Sequence, residues 1–195
     1  RPSCEVRRTQ ERGGEVMKTE NNVMYILRLS LTLLIITASV ALLLAGVNTI
    51  TKDKIAAAKA EKTARAISAV LESGETAQEV PFDASANPLV TKVYANEFGY
   101  AVQVAPAGFG GSIDMMVGVD KTGAVTGISI ISHTETAGLG AVAAAGTPAG
   151  EAFRGGFVGK TGSVSVTKDG GEVQAITGAT ITSRAVCVGV NAALE

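Results

Sequence analysis

Residues 29–47 read LSLTLLIITASVALLLAGV and contain no charged side chain. No other feature limits the fold as strongly. At about 1.5 Å per residue, a helix of that length crosses roughly the 30 Å hydrocarbon core of a bilayer. Arg28 stands at one edge, and Asn48, Lys52, Asp53 and Lys54 follow the other. The hydroxyls of Ser30, Thr32, Thr37 and Ser39 can bond their own helix backbone, which makes them tolerable in lipid. A cleaved signal peptide would have a shorter apolar region and a small-x-small cleavage site. Asn48-Thr49-Ile50 is a poor one. A core helix of a soluble domain would keep a polar face, and this run has none. The sequence therefore predicts one transmembrane helix over 29–47. Charge gives its orientation less clearly. Lys52, Lys54, Lys59, Lys62 and Arg65 outnumber Lys18 and Arg28, which favours a cytoplasmic C-terminal side unless Arg1, Arg7, Arg8 and Arg12 also count. Large domains translocate despite such charges.

The span divides the rest of the chain. Residues 1–28 are an N-terminal tail. Residues 1–16 lack apolar periodicity and end in Gly-Glu-Val before Met17. A translated ribosome-binding sequence would read that way, so the expected native start is Met17 and Cys4 drops out of the argument. Residues 48–80 form a helical stalk and linker. Ile55, Ala60, Ala64, Ile67 and Leu71 keep roughly helical spacing among solvated charges, until Ser73-Gly74 and Pro81 stop the helix. Residues 73–91 are rich in loop formers.

Residues 81–195 make one domain. Strands are expected over 100–104, 113–119 and 124–132, with the turn Asp120-Lys121-Thr122-Gly123 joining the last two. Gly108-Phe109-Gly110-Gly111 is a loop. Thr147-Pro148 opens a short helix with Ala152 and Phe153. Further short strands are expected over 164–167 and 173–176, with the turn Lys168-Asp169-Gly170-Gly171 between them. A closing helix over 183–194 carries Val186, Val190 and Leu194 on one face. The fold class is α+β: a single N-terminal transmembrane helix, then a domain with an antiparallel sheet and flanking helices.

Composition removes several chemistries. His133 is the sole histidine, and Cys4 and Cys187 are the only cysteines. A Cys/His zinc site needs about four ligands, and an iron–sulfur cluster needs a similar set. The two cysteines lie at opposite ends of the chain, which argues against a disulfide scaffold. A net charge of −1 is wrong for a polybasic nucleic-acid binder. With no tryptophan and 4% aromatics, the core must be Val, Ile, Leu and Ala. A hydroxyl-bearing or cofactor-carrying protein remains.

Two segments gather polar chemistry. Thr177-Gly178-Ala179-Thr180-Ile181-Thr182-Ser183 places four hydroxyls around a Gly-Ala pair at a helix start. Unpaired N–H groups and the dipole there suit a phosphate, and Arg184 could add charge. Plain helix capping by Thr182 or Ser183 explains the same residues. His133-Thr134-Glu135-Thr136-Ala137-Gly138-Leu139-Gly140 follows the third strand. It reads as a weak acid–base pair, as a polar loop bonding its own backbone, or as a clamp whose glycines admit a planar ring beside Leu139.

Together these segments resemble the FMN-binding domain family. Thr177-Gly178-Ala179-Thr180 looks like its [S/T]GAT flavinylation motif, and His133 to Gly140 looks like its H-x-E-T-P-G-L-G segment. The likeness runs from about residue 24 to the end and includes the order of anchor, stalk, meander and terminal helix. It is greatest to the flavin subunits of Rnf-type ion-translocating complexes, with the quinone-reductase counterpart similar in motif. The resemblance implies FMN joined through its phosphate to Thr180 by a flavin transferase. It implies Thr177, Gly178, Ala179, Glu135, Thr136, Leu139 and Gly140 as cofactor-binding residues. It also implies a domain outside the cytoplasmic membrane, other membrane subunits as partners, and electron relay rather than catalysis by this chain alone. The chain departs from the family pattern at Ala137, where Pro is usual, and at Gln174, where Asp is usual. The competing expectations are a binding or assembly module without flavin and a stand-alone flavin-dependent reductase.

Overall fold

The computed structural model describes residues 4–83 and 87–195, with side chains described from residue 23 onward apart from residue 75. Residues 1–3, the Cys4 side chain and residues 84–86 of the expected loop lie outside it. The chain separates into two compact units, Arg1–Ala56 and Ala57–Glu195.

Helix α1 spans Cys4–Val70. Its described part contains an 18-residue stretch of mean hydropathy 2.3 with no buried residue, long and apolar enough to cross a membrane. Every residue from 23 to 50 is exposed. An apolar surface of that extent needs an apolar surrounding. The hydroxyls of Thr32, Thr37 and Ser39 donate back to the carbonyls of Arg28, Leu33 and Ile35 at 2.8, 3.0 and 2.8 Å. Each of these polar groups is thereby satisfied within the helix, as the sequence requires.

The second unit is built on a five-stranded antiparallel meander in the order β1-β2-β3-β4-β5. The strands are β1 (Gln78–Val80), β2 (Val90–Ala95), β3 (Gly99–Val104), β4 (Asp114–Asp120) and β5 (Val125–Ser132). Strands β3, β4 and β5 match the expected ones within a residue or two. The β4–β5 turn forms because the Asp120 carboxylate accepts from the N–H groups of Thr122 and Ala124 at 2.8 and 2.9 Å. Gly123 there takes φ +82°.

Alternation along β3 and β4 gives the sheet two covered faces. Val102, Val104, Met115, Val117 and Val119 face the main core, with Val186 and Val190 of helix α3 (Thr180–Leu194) and Phe153 of helix α2 (Pro148–Gly155). Phe153 and Phe157 meet edge to face, with ring centroids 5.3 Å apart. The opposite face holds Ala101 and Met116 against Ala66, Ile67, Val70 and Leu71. A Cβ at Gly118 would collide with the Val70 carbonyl. The Thr126 hydroxyl donates to that same carbonyl. The end of α1 is therefore part of this domain's packing, and β1 also lies within the 48–80 stretch read as stalk and linker.

Two expectations change. Residues 164–167 and 173–176 do not form strands; a single parallel bridge joins Val166 to Val173. A short 3-10 turn, Thr167–Asp169, follows instead. Helix α3 begins at Thr180 rather than 183. A 3-10 turn, Gly140–Ala144, adds an element that the sequence pattern does not indicate.

Candidate functional site

The site lies where helix α3 begins. Ile176-Thr177-Gly178-Ala179 forms a turn closed by the Ala179 N–H on the Ile176 carbonyl at 3.0 Å. Gly178 provides the left-handed corner with φ +76°, a conformation that costs other residues energy. Ser183 fastens the turn from inside the helix. Its buried hydroxyl accepts from the Ile176 N–H at 3.0 Å and donates to the Ala179 carbonyl at 2.9 Å. Ala179 occupies the N-cap position and contributes no side-chain cap. Thr182 and Ser183 therefore do not cap the helix, which removes the simplest alternative for these hydroxyls. The first turn of α3 has no capping side chain, and its residues Thr180, Ile181 and Thr182 line the site, an arrangement suited to an anion.

A cleft of about 350 Å³ opens at this helix start, within the usual range for a ligand site. Glu135, Thr136, Leu139, Gly140, Gly178, Ala179 and Thr180 all line it. The structure thus brings seven of the eight expected site residues together, although about forty positions separate the two segments. Thr177 is the exception. It lines a neighbouring cleft of about 370 Å³ together with Gln174 and Gly138.

Glu135 organises the walls. It is 8% exposed. One carboxylate oxygen accepts from the Gly110 N–H at 2.9 Å, and the other from the Thr182 hydroxyl at 2.6 Å. These bonds tie the glycine-rich loop, the 135–140 loop and helix α3 to one group. Burial pushes the Glu135 carboxyl up. The donors Thr182, Gly110 and Phe109, with His133 nearby, outweigh burial and hold it below the usual carboxylate range. The Glu135 N–H in turn donates to His133 Nδ1 at 3.2 Å, so that pair orders its own loop. A Cβ at Gly140 would strike the Glu135 carboxylate and come within 2.6 Å of Thr182 Oγ1. Glycine there is a packing requirement.

Two lining residues escaped sequence reasoning, Phe109 and Lys168, while Ile181 and Thr182 stood in the expected segment without being named as cofactor contacts. Phe109 is 69% exposed. An aromatic flanked by glycines in a chain poor in aromatics was the available signal. Lys168 had none, because a lysine in a turn reads as solvated. Its Nζ donates to Thr180 Oγ1 at 3.1 Å. Arg184, expected to supply charge, is instead paired with Asp169 through Nε and Nη2 at 2.7 and 2.6 Å. The cation at Thr180 is Lys168. These residues fit a flavin mononucleotide: uncapped N–H groups and an ammonium for its phosphate, and Leu139, Phe109 and Ile181 as an apolar rim for a ring.

Comparison with known proteins points the same way. Residues 108–195 match the FMN-binding domain family, and residues 17–70 match the RnfG N-terminal region. The G subunit of an ion-translocating oxidoreductase complex from Methanosarcina acetivorans is 32% identical over 180 residues, covering 87% of this chain and 93% of that one. The G subunit of a proton-translocating ferredoxin:NAD(+) oxidoreductase complex from Clostridium ljungdahlii is 44% identical over 100 residues, covering 49% and 51%. Its counterpart in the Na(+)-translocating ferredoxin:NAD(+) oxidoreductase complex of Acetobacterium woodii is 39% identical over 105 residues, covering 50% and 48%. The chain spans about half the length of the last two relatives and nearly all of the first.

Proposed function

Because the chain belongs to the G-subunit family of ion-translocating oxidoreductase complexes, we propose that it is a membrane-anchored carrier of covalently bound FMN that relays electrons within such a complex. The observation that carries this reading is Thr180. Its hydroxyl stands at an uncapped helix start, on the wall of a ligand-sized cleft, beside a lysine. A flavin transferase would join the Thr180 oxygen to the FMN phosphorus of a flavin dinucleotide, breaking that donor's pyrophosphate P–O bond, releasing the nucleoside monophosphate and taking up the hydroxyl proton.

When bound, FMN supplies one- and two-electron transfer. The chain's residues do the positioning. The uncapped first turn of α3 would offset the remaining negative charge of a phosphodiester at Thr180. Leu139, Phe109 and Ile181 give the cleft an apolar rim for a ring, and Gly140 and Gly178 line it without side chains. Thr136 and Glu135 line the cleft as well. Thr177 stands in the motif's turn and lines the neighbouring cleft. The single His-Glu pair is committed to loop structure, so electron relay suits this site better than acid–base turnover. Partners are the other membrane subunits of an Rnf-type complex, with ferredoxin and NAD as the outer redox couples. In this reading the anchor holds the chain in the cytoplasmic membrane and the domain lies outside the cytoplasm, the side that the family resemblance implies, where a covalent bond prevents loss of a cofactor that cannot be replenished.

The test is in-gel flavin fluorescence after denaturing electrophoresis of the full chain co-expressed with a flavin transferase. A fluorescent wild-type band that is absent in Thr180→Ala is the expected result. A dark wild-type band rejects the covalent reading.

A further inference from the structure

The turn after Val166 gives adjacent residues separate tasks. Thr167–Asp169 is one 3-10 turn that ends at Gly170 with φ +83°. Its backbone is closed by the Asp169 and Gly171 N–H groups on the Val166 carbonyl at 2.9 and 3.0 Å. From this turn Asp169 takes both donors of Arg184, and Lys168 reaches Thr180 Oγ1. Arg184 lies four residues after Thr180, so the two share a face of α3. The Asp169–Arg184 pair thus joins the turn to the same helical face that presents Thr180. It also neutralises the arginine. Beside Asp169 the guanidinium is held above its ordinary range, and beside Arg184 the carboxyl is held below its own. The net positive charge left at the hydroxyl is that of Lys168.

We propose that Lys168 is the cation that binds the flavin phosphate at Thr180, and that Asp169 and Arg184 are positioning residues that hold it there. This rests on the reading that Thr180 carries the flavin. Glycine supplies the turn, the two-pronged ion pair fixes its distance from α3, and the lysine completes an anion site begun by the first-turn N–H groups. A bidentate arginine–carboxylate pair constrains geometry better than a single contact does. Lys168 Nζ, by contrast, is a mobile point charge that follows the oxygen atoms as a hydroxyl becomes a phosphodiester.

The experiment uses the full chain with a flavin transferase and follows labelling over time for Lys168→Ala, Lys168→Arg, Lys168→Glu and Asp169→Asn. Lys168→Ala is expected to slow labelling by about tenfold, the size of a charge-assisted contact weakened by solvent. Lys168→Glu slows it further, Lys168→Arg largely restores it, and Asp169→Asn falls between. Added salt slows wild-type labelling and has less effect on Lys168→Ala. The loaded protein gives a readout independent of the transferase. The phosphorus resonance of the phosphodiester shifts between wild type and Lys168→Ala and returns toward wild type in Lys168→Arg. Thermal unfolding of Lys168→Ala stays at the wild-type temperature, since the lysine is exposed. Wild-type labelling and an unshifted resonance in Lys168→Ala, with Thr180→Ala dark, overturn this inference alone. A dark wild type overturns it together with the covalent reading.

Discussion

Glu135 keeps a charge in a nearly dry position by surrounding it with donors. The loss of its partners is therefore more costly than the loss of an ordinary surface acid. Glu135→Ala leaves the Thr182 hydroxyl and the Gly110 N–H without their acceptor, and is expected to cost about 3 kcal/mol in chemical unfolding. The folded carboxyl is held below its ordinary value of 4.5. Its ionised form therefore stabilises the fold above that range, and the contribution is lost as pH falls toward the folded value. The stability of wild type should fall as pH falls through that window, while Glu135→Gln shows a flatter acid limb. An equally steep limb in the variant would assign the effect to other carboxylates. Gly178 is constrained by backbone. An alanine there must adopt φ +76°, with its Cβ 3.0 Å from Leu139 Cδ2. A cost of about 1–2 kcal/mol follows, together with slower flavin attachment in the labelling assay.

Helix α3 shows what sequence patterns conveyed and where they stopped. Its apolar face was legible from Val186, Val190 and Leu194, but its start was not. Ser and Thr are favoured N-caps, so Thr182 and Ser183 pointed to a start near 183. In the structure the Thr182 hydroxyl makes a tertiary bond to Glu135, and the Ser183 hydroxyl bonds Ile176 and Ala179 of the preceding turn. Strands β3 to β5 were legible because one face of each alternates into the core. Strand β1 was not, being three exposed residues at a sheet edge. Residues 173–176 looked like a strand because Val173 and Ala175 are buried, yet only one bridge forms. Lys168 became relevant only once the turn at 167–169 was visible. The close approach of α1 to the sheet at Gly118 is testable on its own. Gly118→Ala pushes a methyl onto the Val70 carbonyl and is expected to cost about 1–3 kcal/mol. Hydrogen exchange should then accelerate at Ala66, Ile67, Val70 and Leu71. Unchanged exchange there would mean that the helix end is held by other contacts.

At the scale of the whole molecule, an apolar helix segment without buried residues precedes a domain whose site contains little but positioning chemistry. That combination suits a tethered carrier, whose value lies in where it holds its cofactor. The orientation is where basic-residue counting and family resemblance pull apart, because five basic residues between 52 and 65 follow the span. Protease added to spheroplasts should degrade the domain, and a protected domain would reverse its assignment to the outer side. The most direct test of the central claim is the mass of the tryptic peptide 169–184, released by cleavage after Lys168 and Arg184, from the chain matured with a flavin transferase. It should be heavier by FMN less one water, with fragmentation placing the added mass on Thr180. An unmodified peptide, or the same mass on Thr177, would contradict covalent attachment at Thr180.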